Sequence, residues 1–158
     1  MTQAPAEPIE SKQMSLGDIN LAQLLMRAFY WADEGLQNHL QSKGWPAITR
    51  AQSLIFVNIG EGVTRPSEIA ARVGVTRQAI HQTINELIEE GFVVLEPDPN
   101  DRRAKVVRYT KLGEKIGLDA IEGLHRVEKA LAEKIGLASV KALRSALTQE
   151  WGEPYKPA

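Results

Sequence analysis

Residues 66–110 constrain the fold more than any other part of the chain, because end signals mark two short helices there. Pro66 has no amide hydrogen to lose and suits the first turn of a helix that Gly74 can end in a left-handed conformation. Thr76 is a typical cap for a second helix, which Gly91 closes. Four apolar residues recur through this second helix at helical spacing: Ile80, Ile84, Leu87 and Ile88. Two helices joined by a tight glycine turn predict a helix-turn-helix.

The second helix has a polar face that carries no acidic residue. If its apolar residues face the core, five others point outward together: Arg77, Gln78, His81, Gln82 and Asn85. Its acidic residues gather at the C-terminal end: Glu86, Glu89 and Glu90. A recognition helix that enters the major groove of DNA by its N-terminal end requires this polarity. The alternative is an ordinary solvated helix face.

A basic hairpin follows the second helix. Phe92–Glu96 and Lys105–Tyr109 are β-branched and aromatic runs, and turn-forming residues lie between them. Arg102 and Arg103 fall near the tip of this hairpin, where an arginine can enter a narrow minor groove or bind phosphate through two hydrogen bonds. Asp101 could pair with Arg103 and hold its side chain in position. The alternative is a solvated loop that carries arginines.

The run from Pro66 to Gly113, with its DPNDRR hairpin followed by valines and a Thr-x-x-Gly helix start, resembles the MarR family of winged helix-turn-helix transcription regulators. The resemblance covers about residues 16–150 and implies a mainly α fold of the winged-helix (α+β) type. It implies double-stranded DNA as the partner and a wing salt bridge between Asp101 and Arg103. The residues expected to meet DNA are Arg65, Thr76, Arg77, Gln78, His81, Gln82, Arg102, Arg103 and Lys105.

The chain departs from the family pattern on the recognition helix. Many relatives have a small hydroxyl residue followed by arginine where this chain has His81 and Gln82. A phosphate or base contact is therefore replaced by a neutral or titratable group. Arg50 and Arg72, like Arg65, are further candidates for phosphate contacts, which fix the register on DNA without reading its sequence. For Arg50 and Arg72, the alternative is a plain solvated arginine.

Composition limits the kinds of function that the chain can have. The formal net charge is -1, so attraction to nucleic acid must come from a local face rather than from the whole molecule. The absence of cysteine excludes disulfides, thiolate metal sites and sensing by thiol oxidation. With no signal-like N-terminus and no long apolar window, we expect a cytoplasmic protein of a bacterium or archaeon.

The sequence predicts one domain over residues 15–150. Residues 1–14 are rich in Pro, Ala, Glu and Gln and are expected to form a disordered tail, and residues 151–158 form a second tail. The winged helix-turn-helix head spans residues 47–110. Long helices within residues 16–43 and 111–150 carry three apolar stripes, which one monomer cannot obviously bury. A symmetric homodimer would cover them, and the alternative is a monomeric helical layer folded on the head.

Five aromatic residues fall near the junction of the head and the long helices: Phe29, Tyr30, Trp31, Trp45 and Phe56. In the resembled family, a small aromatic or lipophilic effector binds in this region, so these residues are candidates for a ligand pocket. The alternative is packing in the core and the dimer interface, which is the more common role of aromatic residues. His39 and His125 lack partners at metal-ligand spacing, so we expect no metal and no other cofactor.

The sequence favours a DNA-binding regulator over an enzyme, since it has no phosphate loop, nucleophile elbow or H-E-x-x-H motif. We expect a transcriptional regulator, more specifically a repressor, that binds an inverted-repeat operator as a homodimer. The rival hypothesis is a winged-helix adaptor whose basic hairpin docks an acidic protein. Specificity for one duplex and a steep dependence of affinity on salt would separate the two.

Overall fold

The computed structural model describes residues 19–157, and for Arg102 it describes the backbone alone. The predicted tail at residues 1–14 therefore lies outside the described residues. Contacts divide the chain into one unit up to Trp31 and a second from Ala32 onward. No helix in the described part of the chain is both long enough and apolar enough to cross a bilayer.

Six helices and one hairpin follow each other along the chain. The helices are α1 (Leu21–Ser42), α2 (Arg50–Gly60), α3 (Pro66–Val73), α4 (Arg77–Glu89), α5 (Lys111–Ile135) and α6 (Leu137–Leu147). Between α4 and α5, strands β1 (Val93–Asp98) and β2 (Asp101–Tyr109) pair in antiparallel fashion. The predicted winged helix-turn-helix with flanking helices is confirmed, and the hairpin formed by β1 and β2 is called the wing below.

Local capping explains where the helices begin. Thr49 and Gln52 form a reciprocal capping box at the start of α2, and the Thr76 hydroxyl accepts a hydrogen bond from the Ala79 amide at the start of α4. Gly74 ends α3 with a φ of 76°, in the left-handed region that the predicted turn requires. These ends agree with those predicted from the sequence.

The start of α1 and the ends of the hairpin strands differ from the prediction. Helix α1 was expected from about residue 16, but it begins at Leu21, because Asn20 and Gln23 cap each other's backbone amides at 3.0 and 3.1 Å. Both strands also run further into the expected turn. Only Pro99 and Asn100 separate β1 from β2.

The core of the second unit lies where α2, α3, α4 and the wing meet. Ile55, Ile69, Ile84, Leu87 and Val107 are fully excluded from solvent there. Val107 also donates its backbone N–H to the Thr64 carbonyl at 2.9 Å, which joins the outer edge of β2 to the residues before α3. The wing is therefore fixed to the helix-turn-helix by backbone hydrogen bonding as well as by apolar packing.

Candidate nucleic-acid interface

Helix α4 is oriented by its apolar face. Ile80, Ile84 and Leu87 are buried against the core, and the opposite face is open to solvent. All five residues predicted to point outward are exposed: Arg77, Gln78, His81, Gln82 and Asn85. Because Thr76 caps the helix through its oxygen as an acceptor, its hydroxyl hydrogen can still be donated to another group. The N-terminal half of α4 therefore presents donors and one fixed positive charge on a single exposed face.

The acidic residues of α4 lie towards the C-terminal end of the helix, away from the N-terminal end of its exposed face. The Glu90 carboxylate, just beyond the helix, accepts two hydrogen bonds of 3.2 Å from the Gln52 side-chain amide of α2. Glu86 lies within 3.4 Å of the Gln82 amide nitrogen. The helix thus carries a basic N-terminal end and an acidic C-terminal end, which is the polarity needed for insertion of the N-terminal end into a groove.

The wing carries its arginines on an irregular part of β2. Pro97 pairs with Lys105, whereas the next residue of β1, Asp98, pairs with Asp101. Residues 102–104 therefore have no partners on β1 and form a bulge, which we call the arginine bulge. Bulges disrupt the regular ladder and redirect the strand. The position of Arg103 is consequently not set by regular pairing with β1.

Asp101 contacts the backbone of the arginine bulge rather than an arginine head group. Its Oδ1 accepts a hydrogen bond of 3.0 Å from the Arg103 backbone amide. The predicted Asp101–Arg103 salt bridge is not among the ion pairs of residues 19–157. The reason is local, since an aspartate readily binds the amide two residues ahead in a turn. The Arg103 side chain is exposed.

The ion pair that does anchor the wing joins Arg65 to Asp98. The Arg65 Nε and Nη2 atoms donate to the same carboxylate oxygen at 2.6 and 2.5 Å. The other oxygen, Oδ1, accepts the Asn100 amide at 2.8 Å, and only 5% of the Asp98 side chain is exposed. These contacts lower the pKa of the Asp98 carboxyl, first through the Asn100 amide and then through the Arg65 guanidinium.

The Arg65–Asp98 pair gives Arg65, which was grouped with the DNA-contacting residues, a contact within the protein itself. The two residues are 33 positions apart, so no local spacing could indicate the contact. The signal that could have been used is the position of Asp98 at the predicted turn. An aspartate at such a corner commonly binds the amide two residues ahead, which leaves its second oxygen for a cation.

Basic residues differ in whether acidic residues already neutralise them. Arg50 pairs with Asp33 at 2.9 Å, Arg108 pairs with Glu96 at 3.1 Å, and Arg72 pairs with Glu61. In contrast, three exposed basic residues of α4 and the wing form no ion pair within residues 19–157: Arg77, Arg103 and Lys105. Their charge is available to an external anion.

A separate apolar groove lies between the head and α5. It encloses about 500 Å³, and Phe56, Val57, Tyr109, Ile116 and Leu124 are among its lining residues. Phe56 stacks on Tyr109 with ring centroids 5.6 Å apart, and the Tyr109 hydroxyl donates to the Phe56 carbonyl at 2.5 Å. Ser53 and Glu114 add polar atoms to this lining.

Most of the five aromatic residues that were candidates for a ligand pocket lie outside this groove. Of the five, Phe56 alone lines the groove. Trp45 instead packs edge-on against Phe92 and donates its indole N–H to Asp119 at 2.7 Å, so its role is structural. Phe29, Tyr30 and Trp31 are exposed residues of the N-terminal unit. Across residues 19–157, no three acidic, histidine or cysteine side chains cluster closely enough to hold a metal ion.

Comparison with known proteins gives the same architecture. The MarR family model matches residues 48–104. A solved MarR structure superimposes with a TM-score of 0.70 at 25% identity, covering 86% of this chain and 90% of that one. Wild-type apo MarR from E. coli gives a TM-score of 0.67 at 24% identity, with 82% of this chain and 95% of that chain covered.

Two further matches extend the comparison. A MarR-family transcriptional regulator from Rhodococcus sp. RHA1 has a TM-score of 0.65 at 24% identity, covering 85% of this chain and 94% of its own. An uncharacterised protein of Mycobacterium tuberculosis is 25% identical over 99 residues, which are 63% of this chain and 69% of that relative. The MarR family model thus matches the head, and more than four fifths of the chain share the winged helix-turn-helix fold of solved MarR-family transcriptional regulators.

Proposed function

We propose that the chain binds double-stranded DNA as a homodimer and represses transcription at an inverted-repeat operator. The observation that carries this proposal is the set of unpaired basic side chains, Arg77 on α4 and Arg103 and Lys105 on the wing. In this proposal α4 enters the major groove, where Gln78 or Gln82 can form paired hydrogen bonds with adenine. Arg103 reaches the adjacent minor groove.

Exposed apolar residues support assembly into a dimer. Leu118 and Ile121 of α5 are 69% and 53% exposed, and Leu137 and Leu143 of α6 are 59% and 48% exposed. Large contiguous apolar surfaces are uncommon on soluble monomers and mark sites of association. A twofold axis would place two copies of α4 about 34 Å apart, which is one turn of DNA, so the operator would be an inverted repeat.

The test of DNA binding is the effect of Arg103→Ala on affinity and on its salt dependence. Removing one phosphate or minor-groove cation should weaken binding and reduce the slope of log K against log salt by about one. Fluorescence anisotropy of a labelled duplex at several salt concentrations measures both quantities. Lys129→Ala is the matched control, because Lys129 is an exposed basic residue of α5 without an ion pair among residues 19–157.

Two outcomes would contradict the proposal. Equal losses for Arg103→Ala and Lys129→Ala would mean that the wing makes no special contact with DNA. Weak, sequence-independent binding by the unaltered chain, together with tight binding to an acidic protein, would favour the adaptor hypothesis instead.

A small lipophilic effector is the second part of the proposal. The groove beside Phe56 has a volume within the range of small-molecule sites, which is roughly 300–1,000 Å³. A ligand that prefers one spacing of the two heads needs to supply only about 1–3 kcal/mol to change operator occupancy. Binding of the apolar fluorophore anilinonaphthalene sulfonate should therefore lower operator affinity, and Val57→Trp should block both effects. Fluorophore binding that is unchanged in Val57→Trp would place its site elsewhere.

A further inference from the structure

The arginine bulge depends on a support outside the wing. Regular pairing with β1 stops at Lys105 and resumes at Asp101, so residues 102–104 are held by their two ends. The Asp101 end is paired with Asp98, and Asp98 is the last residue of β1. Whatever fixes Asp98 therefore also fixes the start of the bulge that carries Arg103.

Asp98 is held from the helix-turn-helix. Arg65 is the N-cap residue of α3, and it makes no capping hydrogen bond with its own side chain. Its guanidinium instead spans to the wing and donates twice to one oxygen of Asp98, and it lies 3.8 Å from Glu68 of α3 on its other side. With Asp98 Oδ1 bound to the Asn100 amide, both carboxylate oxygens are used.

We propose that Arg65 is a positioning residue, which through Asp98 fixes the arginine bulge relative to the helix-turn-helix so that α4 and Arg103 meet DNA in one rigid arrangement. The inference rests on the proposed function. It assigns Arg65 a role in orienting the wing instead of a direct phosphate contact. Two functional elements that are joined only by a flexible hairpin would lose affinity through the cost of ordering that hairpin on binding.

Whether Asp98→Asn raises or lowers operator affinity distinguishes a positioning role from a simple effect of charge. Asparagine keeps an oxygen that can accept the Asn100 amide, but it lacks the charge that binds Arg65 strongly. Removing an acidic residue from a DNA-facing wing should by charge alone tighten binding. The positioning role predicts the opposite, an operator affinity about tenfold weaker, as expected for loss of a charge-assisted contact.

Glu96→Gln is the matched control for this charge. Glu96 lies two residues earlier on the same strand, is half exposed and pairs with Arg108 rather than with the helix-turn-helix. Its replacement removes the same charge from the wing without touching the Arg65–Asp98 pair. We expect equal or tighter operator binding for Glu96→Gln, measured by anisotropy with the full chain and an operator selected from random duplexes.

A double-mutant cycle tests whether Arg65 affects operator affinity through Arg103. If Arg65 acts by placing Arg103, Arg65→Gln should cost about tenfold in affinity in the unaltered chain and under about twofold when Arg103 is already alanine. An undiminished loss in the Arg103→Ala background, with the salt slope lowered by about one, would show that Arg65 touches phosphate itself and would overturn the inference.

Separate measurements distinguish a variant that does not fold from a folded variant that binds DNA weakly. Thermal unfolding of each variant shows whether the head is intact. If Arg65→Gln does not fold, Asp98→Asn still tests the positioning role. If folded Asp98→Asn binds the operator equally or more tightly while Arg103→Ala binds it more weakly, the positioning role is overturned. The proposed DNA binding by the wing would then still hold. Failure of the unaltered chain to prefer any duplex would overturn the proposed function, and the inference with it.

Discussion

At the scale of single residues, one glycine sets how closely α5 approaches the wing. A Cβ atom built on Gly113 would lie 1.9 Å from the backbone oxygen of Phe92, a distance that real side chains do not reach. The neighbouring Thr110 hydroxyl caps α5 and donates to the Gly91 carbonyl at 2.6 Å. The first turn of α5 is therefore packed directly on backbone at the start of the wing.

Gly113→Ala should lower the free energy of unfolding by about 2–4 kcal/mol, because α5 or the start of β1 must shift to admit the methyl group. Gly117→Ala, one turn later in the same helix, is the matched control. Its Cβ would meet nothing within 4 Å, so better helix propensity should stabilise the chain by about 0.5–1 kcal/mol. Urea unfolding of both variants measures the difference, and equal free energies would contradict the proposed close approach.

On the exposed face of α4, His81 stands where many MarR relatives have a small hydroxyl residue, so the resemblance does not indicate what its side chain contacts. His81→Ala should change which base pairs the protein prefers more than it changes overall affinity, because we expect the imidazole to approach base edges. Binding to a panel of single-base operator variants measures this. A uniform loss across all duplexes would show that His81 contacts phosphate only.

At the scale of elements, the turn after α1 is tied to α5 by a polar network. Lys43 donates to Glu122 at 2.9 Å and to Asp119 at 3.3 Å, and Trp45 donates to Asp119. Arg126 also binds Glu122, at 2.7 Å. These hydrogen bonds, from Lys43 first and Arg126 second, lower the pKa of Glu122 from 4.5 to about 2. The network thus links two elements that the sequence places far apart.

The Glu122 contribution to stability should depend on pH with a definite sign. Because its pKa is lower in the folded chain, its contribution is fully present above pH 4.5 and is lost as pH falls towards about 2. The stability difference between the unaltered chain and Glu122→Gln should therefore shrink over that interval. Urea unfolding as a function of pH measures it, with Glu133→Gln as the exposed control on α5. A difference that stays constant to pH 2 would contradict the assignment.

The sequence predicted most elements because their signals are local. Thr76, Gly74 and Thr110 each mark a helix end through contacts within a few residues, and the structure uses them as expected. The Arg65–Asp98 pair and the arginine bulge were missed, because both depend on which distant segments meet. Trp45 was a candidate for a ligand pocket with core packing as the alternative, and only the fold decides between the two, since its edge contact with Phe92 depends on distant packing.

At the scale of the whole molecule, the exposed apolar residues of α5 and α6 form the surface that we propose a second copy of the chain covers. Leu143→Glu should convert the dimer to monomers at micromolar concentration, because it places a charge on an apolar surface that we propose is shared. Lys141→Glu, an exposed residue of the same helix, changes charge without touching that surface. Sedimentation velocity separates the outcomes, and an unaltered dimer for Leu143→Glu would remove α6 from the interface.

Selection of bound duplexes from a random pool tests the central claim most directly, because it reports specificity and symmetry together. Two heads related by a twofold axis predict an enriched inverted repeat whose half-sites are centred about one helical turn apart. The enriched sequences should be lost in Arg103→Ala. A pool that stays random, or one that yields a single half-site without a symmetric mate, would contradict the account.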